Sequence, residues 1–252
     1  MDLQNLQRNW DSLGQADPLW AILAYPQMHG NKWSPQEFFA TGEEWLAGYL
    51  AKVERLGLLP QRRERAMDFG CGAGRLTRAL AGRFAHADGV DVAPSMIELA
   101  RGFHTDDPRV SFHLNDRADL RLFADDSFDA IVSIIVLQHL PPELTAGYLR
   151  EFVRVLRPGG VALFTVPDSL DRSPAGLARR LPNRLQNVYR RRRYGYAAVM
   201  ELHTVPRGRV EAEVRAAGGV VAAVLPDEST GPPFRSYLYV VTKPERQPDA
   251  DA

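Results

Sequence analysis

The stretch MDFGCGAGR, Met67 to Arg75, sets Gly70, Gly72 and Gly74 two residues apart behind an acid, Asp68. Glycine has no Cβ and tolerates positive φ, so a strand that enters such a loop and leaves as a helix lets a ligand approach its backbone. The standard dinucleotide fingerprint puts its third glycine three residues after the second. Here that position is Arg75, whose side chain would crowd the helix–strand contact. Asp91 follows Gly70 by 21 residues, a spacing that suits a carboxylate accepting the hydroxyls of an adenosine ribose and does not by itself name the nucleotide. Asp68 would repel a pyrophosphate and attract a cation. S-adenosylmethionine, with a sulfonium, an α-ammonium and no phosphate, meets that charge; NAD and FAD do not.

Two histidines are the candidates for acid–base work. His139, in VLQHLPPE, follows an apolar run and should face the carboxyl end of a sheet, where open α/β sheets bind ligands. His203, in MELHTV, follows an arginine-rich segment. A histidine suits a base role because it titrates near neutrality; the plainer reading of His139 is that it braces its loop. Cys71 is the single cysteine; it lies inside the glycine loop, and its solitude excludes an intramolecular disulfide framework and a cysteine-rich zinc site. No metal site is expected.

The chain must hold these residues in place. From Arg65 to Pro167, short apolar strands (RAMDF, ADGVDV, RVSFHL, FDAIVSIIV, VALFTVP) alternate with amphipathic helices (RLTRALAGRF, APSMIELARGF, PELTAGYLREFVRVLRPGG), which implies βαβ units and a mainly parallel sheet. FDAIVSIIV is apolar enough for a central strand. The helix beginning at Pro142 is expected to stop at Pro158 and Gly159. RGRVEAEVRAAGG reads as a further helix, and VVAAVL and SYLYVVTK as two strands joined by a turn containing GPP. Residues 1 to 60 are rich in aromatics and read as helices, a helical cap region, with Ser34, Pro35 and Glu37 as a helix start. These helices either pack on the flank or cover the active site. Residues 61 to 243 form the main domain, 168 to 205 an arginine-rich insert or lid within it, and 244 to 252 a disordered tail.

The motifs resemble those of class I S-adenosylmethionine-dependent methyltransferases. MDFGCGAGRLTRAL is similar to their D-x-G-x-G-x-G loop, and GVDVAPSMIELAR to their ribose-binding block. DDSFDAIVSIIVLQHLPPE resembles the fourth-strand region, and REFVRVLRPGGVALFTVP the helix, turn and fifth strand. The resemblance implies a Rossmann-like seven-stranded α/β sheet, mainly parallel, with the last two strands as an antiparallel pair and helices on its flanks. It implies that Asp68, Gly70 and Gly72, with Cys71 and Gly74 in the same loop, line the methionine end of the cofactor. Asp91 would hold the ribose, and Val92 and Met96 would border the adenine. One of Asn115, Asp116 and Arg117 would meet the adenine amino group, Asp116 being favoured. Ile135 and Val136 would pass beside the sulfonium.

The acceptor is narrowed by what is missing. No Asn/Asp-Pro-Pro-Tyr/Phe follows the fourth strand, no Pro-Cys pair occurs, and no evident metal triad accompanies Asp168 and Asp171. A small-molecule or saccharide hydroxyl is preferred, with N-methylation, RNA methylation or a catalytically silent cofactor-binding protein as alternatives. RRLPNRLQNVYRRRRYGY holds seven arginines, four of them consecutive (Arg190 to Arg193). The run reads as a solvated loop, or as a docking patch for an anionic acceptor or a membrane surface. Formal net charge is zero, which argues against nucleic acid. No segment reads as a secretory signal, and the longest apolar run is too short for a membrane span, so a cytoplasmic protein is expected.

Overall fold

The computed structural model describes residues 3–180 and 200–245. The Arg190–Arg193 run and residues 246–252 of the polar tail lie outside them. The seven expected strands are present: β1 (Arg65–Phe69), β2 (His86–Asp91), β3 (Val110–Leu114), β4 (Phe128–Ser133), β5 (Leu156–Leu170), β6 (Val220–Asp227) and β7 (Phe234–Thr242). They form one sheet in the order β3-β2-β1-β4-β5-β7-β6. The first five run parallel, whereas β7 pairs antiparallel with both β5 and β6. The predicted fold class is therefore the observed one.

The helices are α1 (Leu3–Ala16), α2 (Pro18–Ile22), α3 (Pro35–Arg55), α4 (Arg75–Ala81), α5 (Pro94–Phe103), α6 (Pro142–Val155), α7 (Pro174–Arg179) and α8 (Arg207–Ala216). None of those described is long and apolar enough to cross a membrane. Every residue of β4 is buried, as suits a central strand covered on both faces, and its one buried acid, Asp129, accepts from Glu64 N, Arg65 N and Arg157 Nη1. One side of the sheet packs Met67, Phe69, Ile131 and Phe164 against Leu149, Phe152 and Val214 of α6 and α8. The other packs Ala66, Ala130, Val132 and Leu163 against Leu46, Val53, Leu76 and Leu80 of α3 and α4. Alternate residues of one strand thus feed two cores.

Three boundaries differ from the sequence reading. β4 ends at Ser133, not Val136, because Ile135 takes a φ of +57° and turns the chain out of the sheet. α6 ends at Val155 before reaching Pro158 and Gly159, and β5 begins directly at Leu156. The Pro-Gly-Gly turn falls in the first stretch of β5, where pairing with β4 slips between Phe128–Leu156 and Ala130–Val161. α4 is shorter than expected, closing at Ala81 with Gly82 as its C-cap. At the start of α3, Ser34 Oγ accepts from Glu37 N at 3.3 Å and donates to Glu37 Oε2 at 2.6 Å, so the cap closes through the serine hydroxyl.

The chain winds outward from β1 to β3 on one side and from β4 to β5 on the other. Such a reversal leaves a crevice beyond the carboxyl ends of the two central strands. β1 register places Asp68 beside Gly89 of β2 and Val132 of β4, at the mouth of that crevice.

Candidate active site

The crevice is a cleft enclosing about 920 Å³ of space free of protein atoms, part of it open to solvent. Its floor is the glycine loop. Gly70 has a φ of +77° and Gly72 a φ of +51°. A Cβ on Gly70 would collide with the side chain of Val136, and one on Gly72 would sit 2.6 Å from Ile22 Cδ1. Glycine is thus required both by backbone conformation and by the approach of Val136 and Ile22, contacts that the sequence did not announce.

Asp91 and the loop are joined. Asp91 Oδ2 accepts from Gly72 N at 2.9 Å, while Oδ1 accepts from Ala93 N at 2.9 Å. Burial raises the Asp91 pKa, and these backbone donors oppose the rise. Asp68 is 2% exposed and accepts a 2.7 Å hydrogen bond from Thr77 Oγ1. Burial lifts its pKa to about 6, against the pull of Thr77 and of the Arg75 charge. Cys71 is buried, and burial pushes its thiol pKa well up, away from a nucleophile's range. Gly74 takes the left-handed N-cap position of α4 and is not among the cleft-lining residues. Arg75 does not obstruct the helix–strand contact as its place in the fingerprint suggested. It turns toward α3, over the Trp45 ring.

Of the other expected positions, Val92, Met96, Asn115, Ile135 and Val136 all line the cleft. Asn115 Nδ2 donates to Asp119 O at 2.9 Å and so holds the turn after β3. Asp116 and Arg117 are exposed and lie outside the cleft lining, because that turn directs them to the surface. Ile135 N donates to Thr165 Oγ1 of β5 at 2.8 Å. A β-branched residue at positive φ is strained, and this bond helps to hold it there.

His139 lines the cleft and His203 does not. His139 Nδ1 lies 2.9 Å from the backbone oxygen of Glu201. A carbonyl only accepts, so Nδ1 carries the proton and the lone pair of the neutral ring is at Nε2. The Gln138 amide nitrogen stands 3.3 Å from that Nε2, and Gln138 Oε1 accepts from Thr230 Oγ1 at 2.9 Å. The His203 backbone N donates to Gln138 O at 2.7 Å, and its ring Nε2 is 3.2 Å from Glu201 Oε2. Burial lowers the His203 pKa, with Glu201 opposing. The segment 200–205 therefore braces the His139 loop from behind.

The sequence reading left open whether the N-terminal helices pack on the flank or cover the site, and it named no residue of a roof. Leu3, Leu6 and Trp10 of α1, with Ala21 and Ile22 of α2, close over the glycine loop. Trp10 meets the His139 ring edge to face, centroids 4.9 Å apart. Two latches hold α1 down: Gln7 Nε2 donates to Val92 O at 3.0 Å, and Asp11 Oδ1 accepts from Ser95 N, in the first turn of α5, at 2.8 Å. The apolar spacing Leu3, Leu6, Trp10, Leu13 is visible in the sequence. Which surface that face would cover is not.

Fold and site resemble those of class I S-adenosylmethionine-dependent methyltransferase domains. Residues 66–160 match the family described as "Methyltransferase domain". The chain is 31% identical over 115 residues to a ubiquinone biosynthesis O-methyltransferase of Xanthomonas campestris pv. campestris (strain B100), covering 45% of this chain and 46% of that protein. It is 38% identical over 121 residues to a trans-aconitate 2-methyltransferase of Methylobacterium radiotolerans, covering 47% and 44%. The aligned region thus spans about half the length of these curated relatives. In structure it resembles the magnesium protoporphyrin IX methyltransferase of Synechocystis PCC 6803, solved with bound SAH, with a TM-score of 0.63 at 15% identity over 96% of this chain and 100% of that one; at that identity the likeness concerns the fold.

The residues present fit the cofactor of that class. Among the described residues, the charged side chains lining the cleft are Asp68, Asp91 and Arg75. Two acids and one guanidinium suit a ligand with two cationic groups and one carboxylate, and oppose a diphosphate.

Proposed function

We propose that this chain transfers a methyl group from S-adenosylmethionine to a hydroxyl of a small molecule or saccharide bound under its N-terminal helices. The observation that carries the reading is the joining of Asp91 to the glycine loop beneath an apolar roof, with Asp68 in the same cleft: a ribose acceptor, an acid for a cation and an apolar cover stand together. When bound, the cofactor supplies an electrophilic methyl carbon on a cationic sulfur.

The chain's own part is largely positional. Well-oriented encounters of reacting groups can supply ~7–11 kcal/mol. Asp68, Gly70 and Gly72 hold the methionine end, Asp91 the ribose, and Val92, Met96 and Asn115 the adenine. Ile135 and Val136 press from the β4 side. Trp10 and Ile22 exclude water, which strengthens the electrostatic contacts inside. His139, with its lone pair directed from Nε2, takes the proton of an acceptor hydroxyl once the Gln138 amide yields that site. His203 acts through the 200–205 segment and not on the acceptor.

On this reading residues 1 to 60 are a cap on the methyltransferase domain of residues 61 to 243. The relatives named for O-methylation and for a small carboxylic acid support a small acceptor over a macromolecule. The Arg190–Arg193 run remains the proposed docking patch for an anionic group on it. Calorimetry decides the cofactor: tight S-adenosylhomocysteine binding is expected, and tight NAD binding without it would overturn the reading. Label from methyl-tritiated cofactor should then appear in the small-molecule fraction of a cell extract.

A further inference from the structure

Gln138 precedes His139 in the turn after β4 and is 7% exposed. Its amide has donors on nitrogen and an acceptor on oxygen, two ends of nearly equal size. The nitrogen faces His139 Nε2 at 3.3 Å, and the oxygen faces Thr230 Oγ1 at 2.9 Å. Thr230 Oγ1 also lies 3.1 Å from Ser236 Oγ of β7. A hydroxyl has one proton, so while Thr230 donates to Gln138, Ser236 donates to Thr230. The turn that carries Thr230 is pinned through Asp227. Its Oδ2 accepts from Tyr49 OH of α3 at 2.9 Å, and its Oδ1 accepts from Ser229 N at 3.0 Å.

The amide and the two hydroxyls can each reverse; His139 Nδ1 cannot, because it donates to the backbone oxygen of Glu201. A proton gained by the ring must therefore go to Nε2, where the new N–H would meet the amide nitrogen, donor against donor. Leaving both unmet in a buried place is costly. Turning the amide over removes the clash. Its oxygen then accepts from Nε2, its nitrogen donates to Thr230 Oγ1, and Thr230 donates to Ser236. The terminal torsion of glutamine is broad and roughly two-fold, so the side chain itself offers little resistance. We propose that Gln138 is a positioning residue whose amide inverts with the proton on His139, offering N–H to the neutral ring and oxygen to the imidazolium, while the Thr230 and Ser236 hydroxyls reverse in step. This deepens the reading of His139 as the base, and its catalytic meaning rests on that reading. As the acceptor oxygen bonds to the methyl carbon, the carbon–sulfur electron pair stays with sulfur and the hydroxyl proton passes to Nε2. Gln138 Oε1 then accepts from Nε2 until water takes the proton away.

Heteronuclear NMR of the histidine rings in the full chain, titrated with acid, tests this without an acceptor. In the unaltered protein the neutral His139 ring should carry its proton on Nδ1; a proton on Nε2 would overturn the proposal before any variant is made. Gln138→Met, similar in length but with no N–H or oxygen, should lower the His139 midpoint by about one pH unit, because the imidazolium loses a stronger bond than the neutral ring does. Gln138→Glu, whose carboxylate only accepts, should raise it by at least as much. Thr230→Val takes a bond from both forms and should leave the midpoint where it is. A rise there would show that Thr230 only donates, and would overturn the reversal, as would an unmoved midpoint in both Gln138 variants. The other titratable and charged groups on the surrounding elements are untouched in all three: Glu201 and His203 behind the ring, Tyr148 of α6, and Asp68, Asp91 and Arg75 of the cleft. The two readings fail apart. Full turnover by His139→Ala would remove the base and leave the inversion standing, whereas an unmoved midpoint removes the inversion and leaves the base.

Discussion

Gly72 N and Asp91 Oδ2 are 2.9 Å apart, so the acid at the end of β2 holds the glycine loop in the shape that a ligand meets. The residue expected to take a ribose also builds the floor beneath it. Asp91→Ala should therefore weaken S-adenosylhomocysteine binding at least tenfold, about 1.4 kcal/mol. Calorimetry checks this, and unchanged affinity would remove Asp91 from the site.

Gly72 is closed to side chains twice over, by its φ of +51° and by Ile22 Cδ1, which lies 2.6 Å from where a Cβ would stand. Gly72→Ala should cost about 1–3 kcal/mol of stability. Adding Ile22→Ala should recover the steric share and leave the backbone share. A denaturant-based double-mutant cycle measures both, and additive losses would show that the two residues are not coupled.

Asp68 has a folded-state pKa of about 6 against an ordinary 3.8. The folded chain therefore binds this proton more tightly than the unfolded one. Its contribution to stability is present below pH ~4 and lost as pH rises through about 6. The difference in melting temperature between the wild type and Asp68→Asn should change across that window and be flat above it. The same proton cancels the charge that attracts a cation, so cofactor affinity should fall as pH drops below about 6.

If His139 takes a proton from the acceptor, His139→Ala should lower kcat by ~10²–10⁴-fold while cofactor affinity holds. Loss of affinity in parallel with turnover would mark a bracing role through Trp10 and Glu201 instead. Steady-state kinetics beside calorimetry separates the two.

The α1 latch at Asp11 should control exchange of ligands. Asp11→Ala removes the acceptor of Ser95 N and should cost ~1 kcal/mol, as loss of a helix cap does. S-adenosylhomocysteine should dissociate severalfold faster in stopped-flow displacement. An unchanged rate would mean that the roof does not gate the cleft.

Much of this was legible along the chain. The acid, the glycines and Arg75 are adjacent in sequence, so their chemistry could be read as a unit. Alternating strand and helix patterns marked the strands, the helices and a mainly parallel α/β sheet, because burial period and turn residues are local properties; the seven-stranded closure with an antiparallel pair was implied by the family resemblance. Element ends were less legible. β4 stops at Ser133 because Ile135 turns to positive φ, with its N–H bonded to Thr165 on the next strand, and apolar pattern carries no trace of that bond.

The sequence by itself marked the strands and helices, the glycine loop and the acid at the end of β2, since each follows from neighbouring residues. Only the tertiary structure decided what closes the site. It laid α1 across α5 through Asp11 and Ser95, 84 residues apart, and put Ile22 on Gly72. It separated His139 from His203, and Asn115 from Asp116, by the side of the wall each occupies. It also turned Arg75 from a supposed obstruction into a buried cation facing the cleft. These relations join segments far apart in the chain, and packing, not local preference, selects them.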